Sequence, residues 1–310
     1  MGSRLFGAAW RSAYILLTFT ALFWAGNAIV GRAARDVVPP VALSFWRWSL
    51  AFLILLPFAW RHLKRDGPIL RRHWRWVAVL GTLGIGAFNT LLYTGLTSTT
   101  ALNALLIQAA QPGLILLAAA LLMHDKVTRR QVAGVALAAV GVVTIVARGD
   151  FGALAALQLN RGDAIVALAV LLWSLYSVLL RHKPQVHPLS FLAATMGVGV
   201  AAILPFYLAE LASGARIVAG PDSLLAIGYV SVFPSLIAYM FFNRGVELIG
   251  AASTGQYLNV MPIFGAALAV LLLGEALRGY HVAGIVLVGA GILLAGRGAR
   301  PPPPAAPSKA

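Results

Sequence analysis

Residues 12–33 read SAYILLTFTALFWAGNAIVGRA, and within that stretch only Arg32, at its far end, carries a charge. A helix rises about 1.5 Å per residue, so some twenty apolar residues cross the roughly 30 Å of a bilayer's hydrocarbon. The run is rich in Ala and Leu and lacks the strict alternation of a barrel strand, so it reads as a transmembrane helix. Stretches of the same kind recur at 41–60, 75–96, 100–122, 131–147, 162–181, 188–210, 223–245, 250–273 and 281–297. The chain of 310 residues is 60% hydrophobic and 11% charged, whereas soluble domains carry about 25% charged residues. Little sequence is left over for a soluble domain. Arg4 and Arg11 before the first span imitate a signal peptide, but nine more spans follow, so it reads as a retained helix. The expected fold class is an all-α polytopic membrane protein with ten transmembrane helices.

A net charge of +15 could suggest a nucleic-acid partner, but the basic residues sit in short links between apolar segments and form no basic face. Under this layout, the side holding both termini has 17 of the 24 Lys and Arg. The other side has Arg32, Arg35, Arg148, Arg161, Arg216 and Arg278, and Arg47 falls inside a span. The positive-inside rule therefore puts both termini in the cytoplasm. Residues 1–11 become a cytoplasmic segment and 148–161 a linker. The Pro-rich tail, 298–310, cannot build a core and is expected to be disordered. With no cysteine, the chain has no disulfide or thiolate chemistry. No metal site or cofactor is expected.

Shifting the chain against itself by 150 residues aligns Gly95 with Gly245, Ala101 with Ala251, Pro112 with Pro262, Asp125 with Glu275, and Val132-Ala133-Gly134 with Val282-Ala283-Gly284. Slightly smaller shifts put Trp24 on Trp173 and Ser44-Phe45 on Ser190-Phe191. The halves, 12–147 and 162–297, therefore read as one five-helix fold used twice. Five is odd, so the second copy would enter the membrane from the opposite face. Such inverted repeats place a substrate site near the midplane, at their interface.

The Phe23-Trp24-Ala25-Gly26-Asn27 run, the Trp173-Ser174 match, and in each half a proline in the fourth helix, an acidic residue after it and a Gly-rich fifth helix carry a resemblance. The chain resembles two EamA-type five-helix units of the drug/metabolite transporter superfamily, over about residues 12–297. Within that superfamily it looks most like bacterial exporters of amino acids, including aromatic ones. The resemblance implies a small-molecule substrate, membrane lipid around a monomer, and no enzymatic activity.

Every Asp, Glu and His lies in a link or near a helix end, so the spans lack an obvious proton carrier. That favours facilitated diffusion over ion-coupled pumping, and no phosphate-binding loop suggests ATP drive. It also leaves an intramembrane enzyme without a nucleophile-base pair. Arg47, seven residues into the second span between Trp46 and Trp48, reads first as snorkelling toward the outer interface, with a place near the substrate pathway as the alternative. Gln108 and Gln111 share a helical face, and Ser253, Gln256 and Tyr257 form a matching stripe in the second half. Asn27, Tyr93, Tyr176, Tyr239 and Asn243 add hydrogen-bonding groups, and Trp24 and Trp173 add aromatic surface, a combination suited to zwitterions of varied side chain. The bland alternative is that these polar groups only bond helix to helix. Pro112 and Pro262 are a candidate paired hinge, because each removes a helix hydrogen bond near mid-span. Gly134, Ala138, Gly141, Gly284 and Gly291 are expected to let the fifth and tenth helices pack closely.

Overall fold

The computed structural model describes residues 10, 12–124, 128–146, 149, 160–249 and 260–296, and among them there is no strand. The helices are α1 (Ala13–Ala33), α2 (Pro40–Arg72), α3 (Trp74–Leu80), α4 (Phe88–Leu96), α5 (Ala101–Gln108), α6 (Gln111–Met123), α7 (Arg129–Val146), α8 (Arg161–Leu179), α9 (Pro188–Ala212), α10 (Pro221–Val232), α11 (Ala238–Ile249), α12 (Met261–Leu273) and α13 (Gly279–Gly296). A π-helical segment, Gly81–Ala87, joins α3 to α4, and another, Phe233–Ile237, joins α10 to α11. Six stretches are long and apolar enough to cross a membrane: Ala13–Asp36, Pro40–Arg72, Trp74–Leu96, Arg161–His182, Pro188–Ala212 and Pro221–Phe242. The pair Ala101–Gln108 and Gly113–Met123 makes a seventh if its 43° bend lies within one span.

Two sequence boundaries need correction. The second helix does not stop at residue 60 but runs on to Arg72, through Pro57 and Pro68. Hydropathy reports where a helix leaves the hydrocarbon, not where it ends. The stretch 100–122 is not one continuous helix, because it breaks at Ala109 and Ala110, immediately before Gln111 and Pro112.

Helix ends are set by local chemistry. The Thr100 side chain accepts the Asn103 amide N–H at 3.1 Å, and Asn160 Oδ1 accepts that of Gly162 at 2.7 Å. α6 ends on His124 in the left-handed conformation (φ 57°) and α12 on Gly274 (φ 64°). These positions are 150 residues apart, so the repeat reuses one helix-ending conformation, which glycine adopts without steric cost.

α2 and α9 lie antiparallel, and each ends in a carboxylate that caps the other. Glu210 Oε1 accepts from the Val41 N–H at 3.0 Å and Oε2 from the Ala42 N–H at 2.7 Å. Asp66 Oδ2 accepts from the His187 N–H at 2.9 Å. An anion at a helix N-terminus satisfies otherwise orphaned N–H groups and complements the helix dipole. α7 and α13 are also antiparallel and, as expected for the fifth and tenth helices, meet through small residues. A Cβ added to Gly141 would lie 3.0 Å from the Gly284 carbonyl oxygen, and one added to Gly291 would lie 2.7 Å from the Ala138 nitrogen.

Further contacts also pair elements of the first half with elements of the second. α1 runs against α10 and α11: Leu17 faces Gly245, and the Trp24 Nε1–H donates to the Pro234 carbonyl at 3.0 Å. α8 runs against α4 and the π-helical segment Gly81–Ala87: Val166 faces Gly95, and the Trp173 ring lies 4.7 Å from that of Phe88. Trp24 and Trp173, aligned by the repeat, thus each lie at a π-helical break contributed by the other half. The main buried cluster, including Ala28, Leu92, Tyr93, Leu105, Val166 and Val230, lies between these pairs.

Candidate substrate site

At the centre of these pairings is Arg47. Its side chain is 3% exposed, so it does not snorkel to an interface. The sequence expectation fails because depth was counted along one helix, whereas burial is decided by what the neighbouring helices present. Arg47 Nε–H donates to Ser235 Oγ at 2.7 Å. Nη1–H groups donate to Asn27 Oδ1 at 2.6 Å, Asn89 Oδ1 at 2.7 Å and the Tyr93 hydroxyl at 2.7 Å. The Tyr93 O–H donates in turn to Asn27 Oδ1 at 2.6 Å. The guanidinium carbon also lies 4.7 Å from the centre of the Trp48 ring, within cation–π range.

Four elements build this cluster. α1 supplies Asn27, α2 supplies Arg47, and α4 supplies Asn89 and Tyr93, which are four residues apart on one face. Ser235 comes from the second π-helical segment, where Pro234 brings no N–H to the helical ladder. Its hydroxyl also donates to the Val230 carbonyl, five residues back, at 2.7 Å. No carboxylate among the described residues pairs with Arg47. A buried cation held only by neutral oxygens is costly and attracts anions.

Aromatic side chains flank the cluster. Trp24 meets Tyr239 edge-on at 5.8 Å, and Trp173 lies 5.1 Å from Tyr176. The Tyr229 hydroxyl reaches the Phe23 carbonyl at 3.4 Å. Trp24, Trp173, Tyr176, Tyr229 and Tyr239 are all only partly buried. Arg47 is within electrostatic reach of the phenols of Tyr93, Tyr229 and Tyr239.

Of the residues singled out from sequence, Asn27 and Tyr93 are brought together on Arg47, and Trp24 and Tyr239 meet beside the second π segment. Trp173 and Tyr176 pair beside the first: a Cβ added to Gly84 would lie 2.7 Å from a Tyr176 ring carbon. Gln108 is buried and donates its amide to the Ala104 carbonyl of its own helix at 3.2 Å. Gln111 starts α6 beyond the break, so the two glutamines do not share one continuous helix face. Gln256 and Tyr257 lie outside the described residues, as do the side chains of Asn243 and Pro112; Pro262 stands in the first turn of α12. Asn89, Ser235 and Tyr229 were missed. The i, i+4 spacing of Asn89 to Tyr93 was the available signal for the first.

A second polar cluster lies where residues 97–103, 160–163 and 275–281 converge. Asp163 is fully buried and accepts from the Thr99 hydroxyl and, at 3.3 Å, from Asn103 Nδ2. The Arg278 N–H donates to His281 Nδ1 at 3.0 Å, so Nε2 carries the proton and donates to Asn103 Oδ1 at 2.9 Å. Glu275 caps α5, accepting the Ala101 and Leu102 N–H groups at 2.9 Å each. A cavity of about 340 Å³ opens here, lined in part by Thr100, Glu275, Arg278, Tyr280 and His281. Asp163, Asn103, Glu275 and His281 are engaged with one another and with helix termini, tying residues of the two halves together.

Known proteins are similar to this chain over most of its length. An uncharacterized transporter of Bacillus subtilis, YyaM, is 29% identical over 91% of this chain and 92% of its own length. A probable terminal-alkyne amino-acid exporter of Streptantibioticus cattleyicolor is 26% identical over 91% and 92%. A probable amino-acid metabolite efflux pump of Salmonella typhimurium is 24% identical over 90% and 93%. A crystal structure 20% identical in sequence shares the fold with a TM-score of 0.61, covering 92% of this chain and 96% of the other. The description "EamA-like transporter family" matches residues 11–147 and again 160–297, and with both halves matched the chain belongs to that family of membrane transporters.

Proposed function

We propose that this transporter exports amino acids of varied side chain, aromatic ones included, across the bacterial inner membrane by alternating access. In this reading ten spans form two inverted five-helix repeats, 12–147 and 162–297, with both termini in the cytoplasm. The observation that carries it is the reciprocal exchange of partners. Trp24 lies on the π-helical break of the second half and Trp173 at that of the first, with the Arg47 cluster between them. Antiparallel α2 and α9, and antiparallel α7 and α13, are the pairings a pseudo-two-fold axis in the membrane plane would give. Two relatives are named as amino-acid exporters or efflux pumps.

Asn27, Tyr93, Trp24, Tyr239, Trp173 and Tyr176 are the proposed substrate contacts, completed by Gln108, Gln111, Asn243, Gln256 and Tyr257. By the positive-inside assignment the Asp163–Asn103–His281 cluster lies at the outer face, where its bonds must part for release. Among the described residues no titratable group apart from the tyrosines and Arg47 enters the central cluster, which favours uniport over proton coupling. The test is counterflow in liposomes. Purified protein with a high internal concentration of one amino acid should draw in labelled external amino acid without any ion gradient. Entry only under an imposed proton or sodium gradient refutes uniport, and no entry across a panel of amino acids refutes the substrate class.

A further inference from the structure

Building on the amino-acid export reading, we propose that Arg47 is the carboxylate anchor of the central site, so that a free carboxylate, more than an ammonium, admits a solute. The guanidinium is permanently charged, 3% exposed and without a carboxylate partner among the described residues. Its ties are unevenly spread. Nη1, with two protons, serves three oxygens, and Nε serves Ser235, while Nη2 makes no hydrogen bond to the described residues. Nη2 therefore keeps its N–H donors for a carboxylate oxygen, in a charge-assisted bond. A purely structural link among two amides, a phenol and a hydroxyl could be made by a neutral side chain, without burying a charge. The position suits a ligand as well: Arg47 touches α1, α4 and the π-helical break of the opposite half, where the two repeats meet.

The asymmetry of the cluster sets the selectivity. Among the described residues no Asp or Glu neighbours Arg47 to receive a substrate's ammonium, which is left to neutral oxygens and aromatic faces. Losing the carboxylate should therefore cost more than losing the ammonium.

The experiment measures ligand-dependent thermal stabilisation of the purified full chain with phenylalanine, phenylalaninamide and N-acetylphenylalanine, and with the same leucine series. Phenylalaninamide, lacking the carboxylate, should bind on the order of tenfold to a hundredfold more weakly than phenylalanine, the size of one buried charge-assisted interaction. N-acetylphenylalanine should lose less. Arg47→Gln should bring the acids down to the level of the amide, and Arg47→Lys should recover part of the difference. Equal binding of acid and amide by the wild type overturns the anchor and leaves amino-acid export standing. Binding of N-acetylphenylalanine without any amino acid keeps the anchor and refutes amino acids as substrates. Stabilisation by no carboxylate-bearing compound overturns both. Should Arg47→Gln fail to fold, the wild-type comparison still decides; should it fold and keep the preference for the acid, the anchor is wrong.

Discussion

Tyr93→Phe removes one oxygen atom from the centre of the protein, and its cost can be worked from the bonds that atom makes. The hydroxyl accepts from Arg47 Nη1 at 2.7 Å and donates to Asn27 Oδ1 at 2.6 Å, on a side chain 1% exposed. The ring itself is held: a Cβ added to Gly31 would lie 2.7 Å from it, so phenylalanine should keep the ring's place. A hydrogen bond to a charged group is worth about 1.5–3 kcal/mol and a neutral one about 0.5–1.5 kcal/mol. Arg47 keeps Asn27, Asn89 and Ser235 and Asn27 keeps Arg47, so the loss should come out well below that sum, at about 1–2 kcal/mol. Thermal unfolding of the purified protein in detergent should show a fall of a few degrees. In a double-mutant cycle with Asn27→Ala the two losses should be non-additive, by about 0.5 kcal/mol or more, because they share one network. Tyr176→Phe is the control, since no hydrogen bond of its hydroxyl occurs among the described residues and its removal should leave stability nearly unchanged. Wild-type stability for Tyr93→Phe, with strict additivity to Asn27→Ala, would refute the Arg47 network.

Two further outcomes follow from the packing. Gly141→Leu should force α7 from α13, because even a Cβ there would stand 2.9–3.0 Å from Val288, Leu287 and the Gly284 carbonyl. Overpacking of this kind costs about 1–3 kcal/mol, read as lower thermal stability or lower yield. Pro112→Ala should let the chain restore a backbone bond to the Gln108 carbonyl and straighten the 43° bend. Counterflow should then drop roughly tenfold or more while thermal stability holds, and Pro262→Ala should do the same. Unchanged flux in both would make the prolines static kinks.

Much of the fold was legible because a membrane imposes its period and length on the chain: α1, α8, α9 and α13 start and end within a few residues of the sequence spans. What was not legible depends on neighbours. α2 continues to Arg72 because its amphiphilic end packs and caps α9 through Asp66, which no hydropathy window senses. The π-helical segments at Gly81–Ala87 and Phe233–Ile237 answer to tertiary packing, although the glycines of the first and Pro234 of the second permit them. Asn27 and Tyr93 could be singled out as polar residues in apolar spans, but their convergence on Arg47 could not, since the sequence shows which residue stands on a helix and not which neighbour it faces. The same gap hid Ser235. Asp163 and His281 were correctly placed near helix ends, yet their burial depends on Thr99 and Asn103 from another segment.

The claim that the Arg47 cluster lies on a path open alternately to both faces is tested most directly at Ser235. The chain has no cysteine, so Ser235→Cys introduces a single small thiol into that cluster without background. Alternating access predicts that a membrane-impermeant thiol reagent labels it both in inside-out vesicles and from outside intact cells, and that a transported amino acid slows the reaction from each side. A thiol that stays inert from both faces, in a variant that folds and transports, would contradict the account and make the cluster packing alone.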